Sequence, residues 1–301
     1  MSLEAEVLRL KEDRRAVLLA HNYQRGEVQD VADYVGDSLY LARKAMESDR
    51  PVIVFAGVRF MAETAKILNP TRTVLLPDLG AGCSLADSIT ADQLRAWKAE
   101  HPGAVVVAYI NTSADVKAES DYICTSSNAE RVVRSIPADR EILFLPDMFL
   151  GDYLRRRTGR RLHLWAGDCH VHARLRPERL EVARAAHPGA TVVAHPECGC
   201  TSEALPHVDR VLSTDGMLRF AESTHDREVL VATEIGILHR MRRINPSTAF
   251  VPIDDGAVCP FMKTIDLEDV RNSLRDQRYV IDVDPAVADR ARAALARMVA
   301  A

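Results

Sequence analysis

The sequence has no long apolar run and little net charge. None of its hydrophobic stretches reaches the roughly 18 residues that a membrane-spanning helix needs. The formal net charge is only −4, from 39 Lys and Arg against 43 Asp and Glu, which argues against nucleic acid as a main partner. Hydrophobic residues make up 47% and charged residues 27% of the chain, an ordinary globular balance that excludes disordered and collagen-like classes.

We also expect no secretory signal at the start of the sequence. Residues 1–6 contain no basic region followed by an apolar stretch. We therefore expect a cytoplasmic protein with no membrane partner, in which thiols stay reduced. In that compartment the six cysteines are more typical of metal binding or catalysis than of disulfides.

A repeat of about 87 residues organises what is present. Short apolar runs, each ending in a polar cluster, occur at 16–23, 104–111 and 190–197. Such runs are typical of strands buried in parallel sheets. The tetrapeptide HPGA leads into the second and third runs, at 101–104 and 187–190, after an amphipathic stretch of helical spacing. The repeat is too long for a solenoid unit but long enough for a small α/β domain.

Two further sets of apolar runs recur with the same period. They lie at 51–56, 141–146 and 228–233 and at 73–77, 161–165 and 248–252. A cysteine follows each member of the last set within a short loop: Cys83, Cys169 and Cys259.

Strands that alternate with helices indicate parallel sheets with right-handed crossovers. We therefore predict an α/β protein of three homologous three-layer domains with short parallel sheets, arranged about a pseudo-threefold axis with a central active site. The predicted domains are 1–86, 87–172 and 173–263. Helices within 264–301 are expected to pack against the first domain and complete it.

Ligands of parallel α/β sheets bind at the carboxyl ends of the strands. Threefold symmetry would bring the polar clusters at the ends of equivalent strands to one cavity. These clusters are His21, Asn22 and Tyr23; Tyr109, Ile110 and Asn111; and His195, Pro196 and Glu197. Histidines bind carboxylates or move protons near neutral pH, Tyr23 and Glu197 are candidate acid–base groups, and Tyr109 and Asn111 can donate hydrogen bonds.

Three hydroxyls recur in the same way, each before a helix-like stretch: Ser38, Ser126 and Thr214. A single hydroxyl at this place is usually a helix N-cap. Three helix N-termini that meet at one cavity would instead form an anion site for carboxylates or a phosphate.

The periodic cysteines have three interpretations. Three thiolates can hold three corners of a cubane iron–sulfur cluster, which leaves the fourth iron open to act as a Lewis acid. A zinc site with an open position is a second possibility, and three small core residues a third. Cys124 ends an apolar strand and is expected in the core. Cys198 and Cys200 break the period, and we expect a structural role for them rather than redox activity.

Motifs along nearly the whole chain resemble those of the quinolinate synthase family. They are AHNYQRGEVQDVADYVGDSLYLA, GVRFMAETAKIL, LPDLGAGCSLADS, YINTSADVKAESDYICTSSNA, FLPDMFLG, WAGDCHVH, AHPEC, STDGM, ATEIGILHRM and CPFMKTIDLEDV. Phe149 and Phe261 depart from the pattern, since many relatives carry polar residues there.

The resemblance implies three α/β domains around a central site and a [4Fe–4S] cluster on Cys83, Cys169 and Cys259. It implies condensation of iminoaspartate with dihydroxyacetone phosphate to quinolinate, the pyridine precursor of NAD, with release of phosphate and two waters. A transient partner would supply iminoaspartate. The open iron would accept the last hydroxyl eliminated.

The resemblance also implies roles for individual residues. His21, Tyr23 and Glu197 would be catalytic, and Tyr23 and Glu197 would transfer protons. The residues implied to contact substrate are His21, Ser38, Tyr109, Ile110, Asn111, Ser126, His195, Pro196, Glu197 and Thr214.

Two other functions share parts of this pattern. An iron–sulfur hydro-lyase acting on a hydroxy acid would use the open iron but would not consume a phosphate ester. A redox sensor or electron carrier would cycle without turnover, and an electron carrier would usually have a fully ligated cluster.

Overall fold

The computed structural model describes residues 2–203 and 207–300. Within these ranges the strands form three four-stranded sheets, and every pairing between named strands is parallel. The first sheet contains β1 (Ala16–His21), β2 (Tyr34–Gly36), β3 (Val52–Ala56) and β4 (Thr73–Leu75). The second contains β5 (Val105–Tyr109), β6 (Tyr122–Cys124), β7 (Ile142–Leu145) and β8 (Leu162–Leu164). The third contains β9 (Thr191–Ala194), β10 (Arg210–Val211), β11 (Glu228–Ala232) and β12 (Ala249–Pro252).

Helices connect successive strands and flank the sheets. In chain order they are α1 (Leu3–Asp13), α2 (Gly26–Val31), α3 (Ser38–Glu47), α4 (Arg59–Leu68), α5 (Ala91–Glu100), α6 (Ala114–Ala118), α7 (Ala129–Ser135), α8 (Met148–Thr158), α9 (Pro177–Ala186), α10 (Cys200–Glu203), α11 (Thr214–Ser223), α12 (Ile237–Ile244), α13 (Pro260–Lys263), α14 (Leu267–Asp276) and α15 (Pro285–Ala300). Among the described residues, no helix combines the length and apolarity needed to cross a membrane.

The three sheets share one strand order. It is β2-β1-β3-β4 in the first sheet, β6-β5-β7-β8 in the second and β10-β9-β11-β12 in the third. This confirms the α/β class with short parallel sheets. The sequence analysis did not identify β2 and β10 as strands, because segments of three and two residues are too short to show a period.

The central strands are apolar because both of their faces are covered. All six residues of β1 and all five of β3 and β5 are buried. A strand that packs helices on both sides loses the alternation of polar and apolar residues. The buried side chains of the first two sheets form one continuous cluster that extends to the third sheet.

The repeated HPGA motif is the turn that joins a helix to a central strand. His101 and His187 are the C-caps of α5 and α9. Gly103 and Gly189 have φ angles of +85° and +87°, in the left-handed region that glycine adopts without steric cost. The turn thus sets β5 and β9 in equivalent positions.

The C-terminal segment covers the edge of the first sheet. Helix α14 packs against α1, and residues 279–281 hydrogen-bond to the exposed edge of β4. Helix α15 contacts α3 and α4, and also α6 and β6 of the second sheet. The contact with the first repeat was expected, whereas the contact with the second was not. The domain boundaries themselves stay a prediction.

Candidate active site

One cavity receives side chains from the carboxyl ends of all three sheets. The predicted site residues that line it are His21, Tyr23, Ser38, Cys83, Tyr109, Asn111, Ser126, Cys169, His195, Glu197, Thr214 and Cys259. Ile110 and Pro196 are buried beside it but do not line it. Parallel strand direction accounts for the convergence, since it places every strand end of a sheet at the same edge.

Hydrogen bonds link the three repeats where the helices that follow the short strands begin. The Ser127 hydroxyl lies 2.5 Å from Asp37 Oδ2 and 2.9 Å from Ser213 Oγ. Asp37 and Ser213 are the N-caps of α3 and α11, and each accepts a backbone N–H from its own helix. The capping interpretation of Ser38 and Thr214 is therefore wrong, because both are first helical residues with hydroxyls at the cavity.

The hydroxyls of Thr214 and Ser126 each contact a side chain of another repeat. Asn22 Nδ2 donates to Thr214 Oγ1 at 3.0 Å. His195 Nε2 lies 3.2 Å from Ser126 Oγ. Ser126 is not a helix cap either, because α7 begins at Ala129 and follows Asn128. Each contact joins a strand end of one repeat to a hydroxyl of another.

The periodic cysteines differ from the other cysteines in their surroundings. Cys83, Cys169 and Cys259 are free thiols, partly exposed and directed to the cavity. Cys124 is fully buried in the core, as predicted. This difference argues against the interpretation of Cys83, Cys169 and Cys259 as small core residues.

The loops that carry these cysteines contact one another. Ser84 Oγ lies 2.6 Å from His170 Nδ1, which joins the loops of Cys83 and Cys169. The ring of Phe261 lies edge-on to His170, with 5.9 Å between centroids. A Cβ atom on Gly82 would lie 3.6 Å from the same Phe261 ring. The aromatic residue that departs from the family pattern thus packs against both other cysteine loops.

The surroundings of the three thiols suit a cationic metal group. Burial raises the pKa of Cys83 to about 12 and raises the pKa values of Cys169 and Cys259. A thiolate here therefore requires a bound cation to compensate its charge. Sulfur donors of this kind favour iron–sulfur clusters or zinc over hard cations such as Mg²⁺. The residues present fit a cluster held by three cysteines.

Glu197 and His172 form a buried pair at the cavity wall. His172 Nδ1 lies 3.0 Å from Glu197 Oε2 and 3.2 Å from Cys169 Sγ. Burial alone would raise the pKa of Glu197, but the His172 hydrogen bond, His195 and Tyr109 outweigh it and lower that pKa to about 2. Glu197 is therefore a carboxylate, and its Oε1 atom is buried with no hydrogen-bond partner among the described residues.

Tyr23 belongs to a network around the other nitrogen of His172. The Tyr23 and Thr233 hydroxyls are 2.5 Å apart, and His172 Nε2 lies 2.8 Å from Thr233 Oγ1. Burial, with the Glu197 carboxylate next in importance, raises the pKa of Tyr23 well above its ordinary value. Tyr23 thus stays protonated and can donate a hydrogen bond.

His21 and His195 are neutral in this cavity. Burial, together with the neighbouring His195, lowers the pKa of His21 to about 3. Burial also lowers the pKa of His195 to about 4. The Tyr23 backbone N–H donates to His21 Nδ1 at 3.1 Å, so the proton of neutral His21 is on Nε2. His21 can therefore donate one hydrogen bond without bringing a charge.

An ion pair between a buried glutamate and a half-buried lysine holds the Cys259 loop. Glu234 Oε1 lies 2.9 Å from Lys263 Nζ and accepts the Cys259 backbone N–H at 3.2 Å. Lys263 Nζ also donates to the carbonyl of Tyr23. A Cβ atom on Gly236 would lie within 2.7 Å of Lys263, Glu234 and Tyr23, so glycine is required there. The pair connects a cysteine loop to a strand end of the first repeat.

The polar residues of this site that the sequence analysis missed include His172, Thr233 and Glu234. Thr233 and Glu234 follow β11, which lies next to β9 in the sheet. The strand-end argument applied to β1, β5 and β9 would have found them had it been extended to this neighbouring strand. His172 lies three residues after Cys169, so its closeness in sequence to a predicted metal ligand could have identified it.

Cys198 and Cys200 are joined in a disulfide, and both are fully buried. The general expectation of reduced thiols is therefore wrong for this pair. Both residues belong to the apolar cluster of the third repeat, which agrees with a structural role.

Comparison with known proteins matches the chain along its length. The family model described as NadA, quinolinate synthetase A protein, matches residues 5–300. Quinolinate synthase of Thermus thermophilus is 57% identical over 302 residues, which cover 99% of this chain and 97% of that protein. The quinolinate synthases of Mycobacterium sp. strain KMS and Mycobacterium tuberculosis are 55% and 53% identical over 305 residues. Both matches cover 98% of this chain, and they cover 90% and 87% of those proteins.

The Glu234–Lys263 pair predicts a large stability effect. Glu234→Ala leaves a half-buried lysine charge without its partner, and we expect the free energy of unfolding to fall by up to about 3–5 kcal/mol. Urea unfolding followed by circular dichroism measures this. Adding Lys263→Met should restore part of the loss. Glu130→Ala, which removes surface ion pairs with Arg134 and Arg157, should cost only about 0–1 kcal/mol. Equal effects of Glu234→Ala and Glu130→Ala would contradict the assignment.

Proposed function

This chain belongs to the quinolinate synthetase A protein family, and we propose that it makes quinolinate by condensing iminoaspartate with dihydroxyacetone phosphate in the cavity between its three sheets. It is an enzyme of NAD biosynthesis. The proposed reaction joins the four carbons of the imine to the three of the phosphate ester and releases phosphate and two waters. The alternative hydro-lyase reaction would release water only.

One observation carries the proposal. A cysteine from the loop after the fourth strand of each sheet reaches the same cavity as the polar end of the central strand: Cys83 with His21, Cys169 with Tyr109, and Cys259 with His195. A shared cavity of this kind supports one metal group and one substrate site side by side.

We propose that Cys83, Cys169 and Cys259 hold a [4Fe–4S] cluster with one open iron. When bound, such a group supplies a Lewis acid for loss of a poorly leaving hydroxyl. Burial raises the pKa values of all three thiols, which supports a role as ligands whose charge the metal compensates. Free ligand thiols also favour the reducing cytoplasm as the place of action.

The substrates bring two carboxylates and a phosphate, and the cavity offers donors for anions. Helices α3 and α11 begin at Ser38 and Thr214, which both line the cavity. Their first backbone N–H groups and aligned dipoles favour negative charge. His21 and His195 would add imidazole hydrogen-bond donors that remain neutral. We assign carboxylate and phosphate binding to these groups together.

Glu197 and Tyr23 are the groups that we propose for proton transfer. Both side chains are nearly buried, with 3% of Glu197 and 7% of Tyr23 exposed, so bulk water is largely excluded. The partnerless Oε1 atom of Glu197 is placed to accept a proton or hydrogen bond from a substrate. His172 orients the Glu197 carboxylate through its other oxygen, and the Tyr23 hydroxyl can donate toward a substrate oxygen.

Iminoaspartate hydrolyses readily because it is an imine. We therefore propose that a transient partner supplies it close to the site.

The reaction assay separates the proposal from the hydro-lyase. Cluster-loaded protein given iminoaspartate and dihydroxyacetone phosphate should release one phosphate for each quinolinate formed. Chromatography measures the quinolinate and a phosphate assay measures the phosphate, both under anaerobic conditions. No quinolinate should form when dihydroxyacetone phosphate is replaced by its dephosphorylated analogue. Dehydration of a hydroxy acid without phosphate release would support the hydro-lyase instead.

Removing one periodic cysteine should remove the cluster but not the fold. We expect Cys169→Ala to lack visible absorbance and to bind little iron, because two thiolates do not retain a cubane cluster. Cys124→Ala, which changes a core cysteine away from the cavity, should keep both. The iron content and visible absorbance of both variants and of the unmodified protein, each purified anaerobically, measure whether the cluster is bound. Zinc in place of iron in the unmodified protein, or an intact cluster in Cys169→Ala, would overturn the ligand assignment.

Tyr23→Phe and Glu197→Gln should keep the cluster and lower kcat by about 10²–10⁴-fold, the usual contribution of a positioned acid or base. Steady-state kinetics beside visible absorbance measure both properties. The matched control is Tyr153→Phe, since Tyr153 lies on α8 and does not line the cavity. Loss of the cluster in either variant would show a structural role, and unchanged kcat would remove both residues from catalysis.

A further inference from the structure

A second cluster of metal-ligand side chains lies at the opposite end of the second sheet. His101 is the C-cap of α5, Glu141 immediately precedes β7, and His163 is in β8. Val105 and Leu162 both pair with the first residue of β7, so this cluster lies at the amino ends of the strands. We propose that His101, Glu141 and His163 bind a divalent transition metal ion of the Zn²⁺ type, separate from the cavity.

The distances between the ligand atoms support this site. Glu141 Oε2 lies 3.8 Å from His101 Nδ1 and 3.7 Å from His163 Nε2. All three ligand atoms lie within 4.8 Å of one another. Ligands about 2.0–2.1 Å from a tetrahedral ion are about 3.4 Å apart. The two carboxylate–imidazole separations are too long for hydrogen bonds, yet only slightly longer than those between ligands of one ion.

His163 Nε2 supplies an independent indication. This atom is buried, and it has no hydrogen-bond partner among the described residues. A buried polar nitrogen without a partner is costly, whereas coordination would satisfy it. The nitrogen lies on the side of the ring that faces the Glu141 carboxylate.

The third repeat provides an internal comparison. Its HPGA histidine and the glutamate before its third strand, His187 and Glu228, form an ordinary contact of 2.8 Å. Val251 occupies the position equivalent to His163, because Leu143 pairs with His163 as Leu230 pairs with Val251. In the third repeat, which lacks the second imidazole, the histidine and glutamate contact each other directly at hydrogen-bond distance. Where it is present, the carboxylate lies between two imidazoles and bonds to neither.

The donor chemistry selects the kind of ion. Two imidazoles and one carboxylate suit Zn²⁺, Ni²⁺ and Cu²⁺ rather than Mg²⁺ or Ca²⁺, which prefer oxygen donors. The side chains are 24%, 48% and 23% exposed for His101, Glu141 and His163, so an ion and its water ligands have access from solvent.

Both tryptophans of the chain lie beside this site and can report on it. The Trp97 ring is 6.2 Å from His101 and 5.5 Å from Trp165, measured between centroids. The sequence contains two tryptophans in all. Open-shell ions such as Ni²⁺ quench tryptophan emission at short range, so quenching would measure occupancy of this site without recourse to enzyme activity.

The test uses cluster-loaded protein and two metals. Equilibrium dialysis against Zn²⁺ should give one bound ion per chain in addition to the iron, and titration with Ni²⁺ should quench tryptophan emission to saturation. His163→Val, which copies the third repeat, should weaken both by at least about tenfold, because even loss of a residue behind a ligand costs that much. His187→Ala, which alters only the histidine–glutamate pair of the third repeat, should change neither.

Glu141→Gln gives a second, independent variant on a different element. It should also weaken Zn²⁺ binding by at least about tenfold, since a neutral amide replaces an anionic ligand. Circular dichroism without added metal should show that both variants are folded. Failure of the unmodified protein to bind Zn²⁺, or equal affinity in His163→Val and the unmodified protein, overturns the proposal.

Discussion

Parallel pairing of every strand is the constraint on which the cavity depends. In each sheet it places the loops after β1, β3 and β4, or their equivalents, at a single edge. Three such edges face one another, and the chain bonds them together through Ser127 with Asp37 and Ser213, and through Ser84 with His170. Reversal of one strand would carry its polar end to the far side of its sheet. The site therefore follows from strand direction before any individual side chain is considered.

Enclosure gives the cavity its chemical character at a cost in stability. Burial favours neutral His21 and His195 and disfavours thiolates at the cysteines, so each charge that remains requires a partner. Glu197 has His172, and Glu234 has Lys263. In the first pair, Glu197 Oε1 is buried without a hydrogen-bond partner among the described residues, whereas in the second pair both Glu234 oxygens accept backbone N–H groups. The same burial thus separates a group available for chemistry from one that positions a loop.

The sequence was informative where a pattern recurred. The apolar runs and the period of the cysteines predicted the parallel sheets, and the structure places Cys83, Cys169 and Cys259 at one cavity. His172 has no counterpart at that period, and Glu234 follows a strand to which the strand-end argument was not applied. The contact of α15 with the second repeat was not predicted, because its apolar face of alanines with Leu295 and Met298 identifies a buried helix but not every surface that it covers. The disulfide of Cys198 and Cys200 required the conformation of a short loop that composition does not specify.

The two ends of the strands carry different kinds of side-chain cluster. At the carboxyl ends, the equivalent residues His21, Tyr109 and His195 all line the one cavity, where two repeats supply an imidazole and the second supplies a phenol. At the amino ends of the second and third sheets, the two HPGA turns share a glycine in the left-handed region. Side chains near that turn are then free to diverge one repeat at a time. His163 in the second repeat and Val251 in the third show such divergence on the same backbone. A single added imidazole thus distinguishes the cluster that we propose as a metal site from a hydrogen-bonded histidine–glutamate pair.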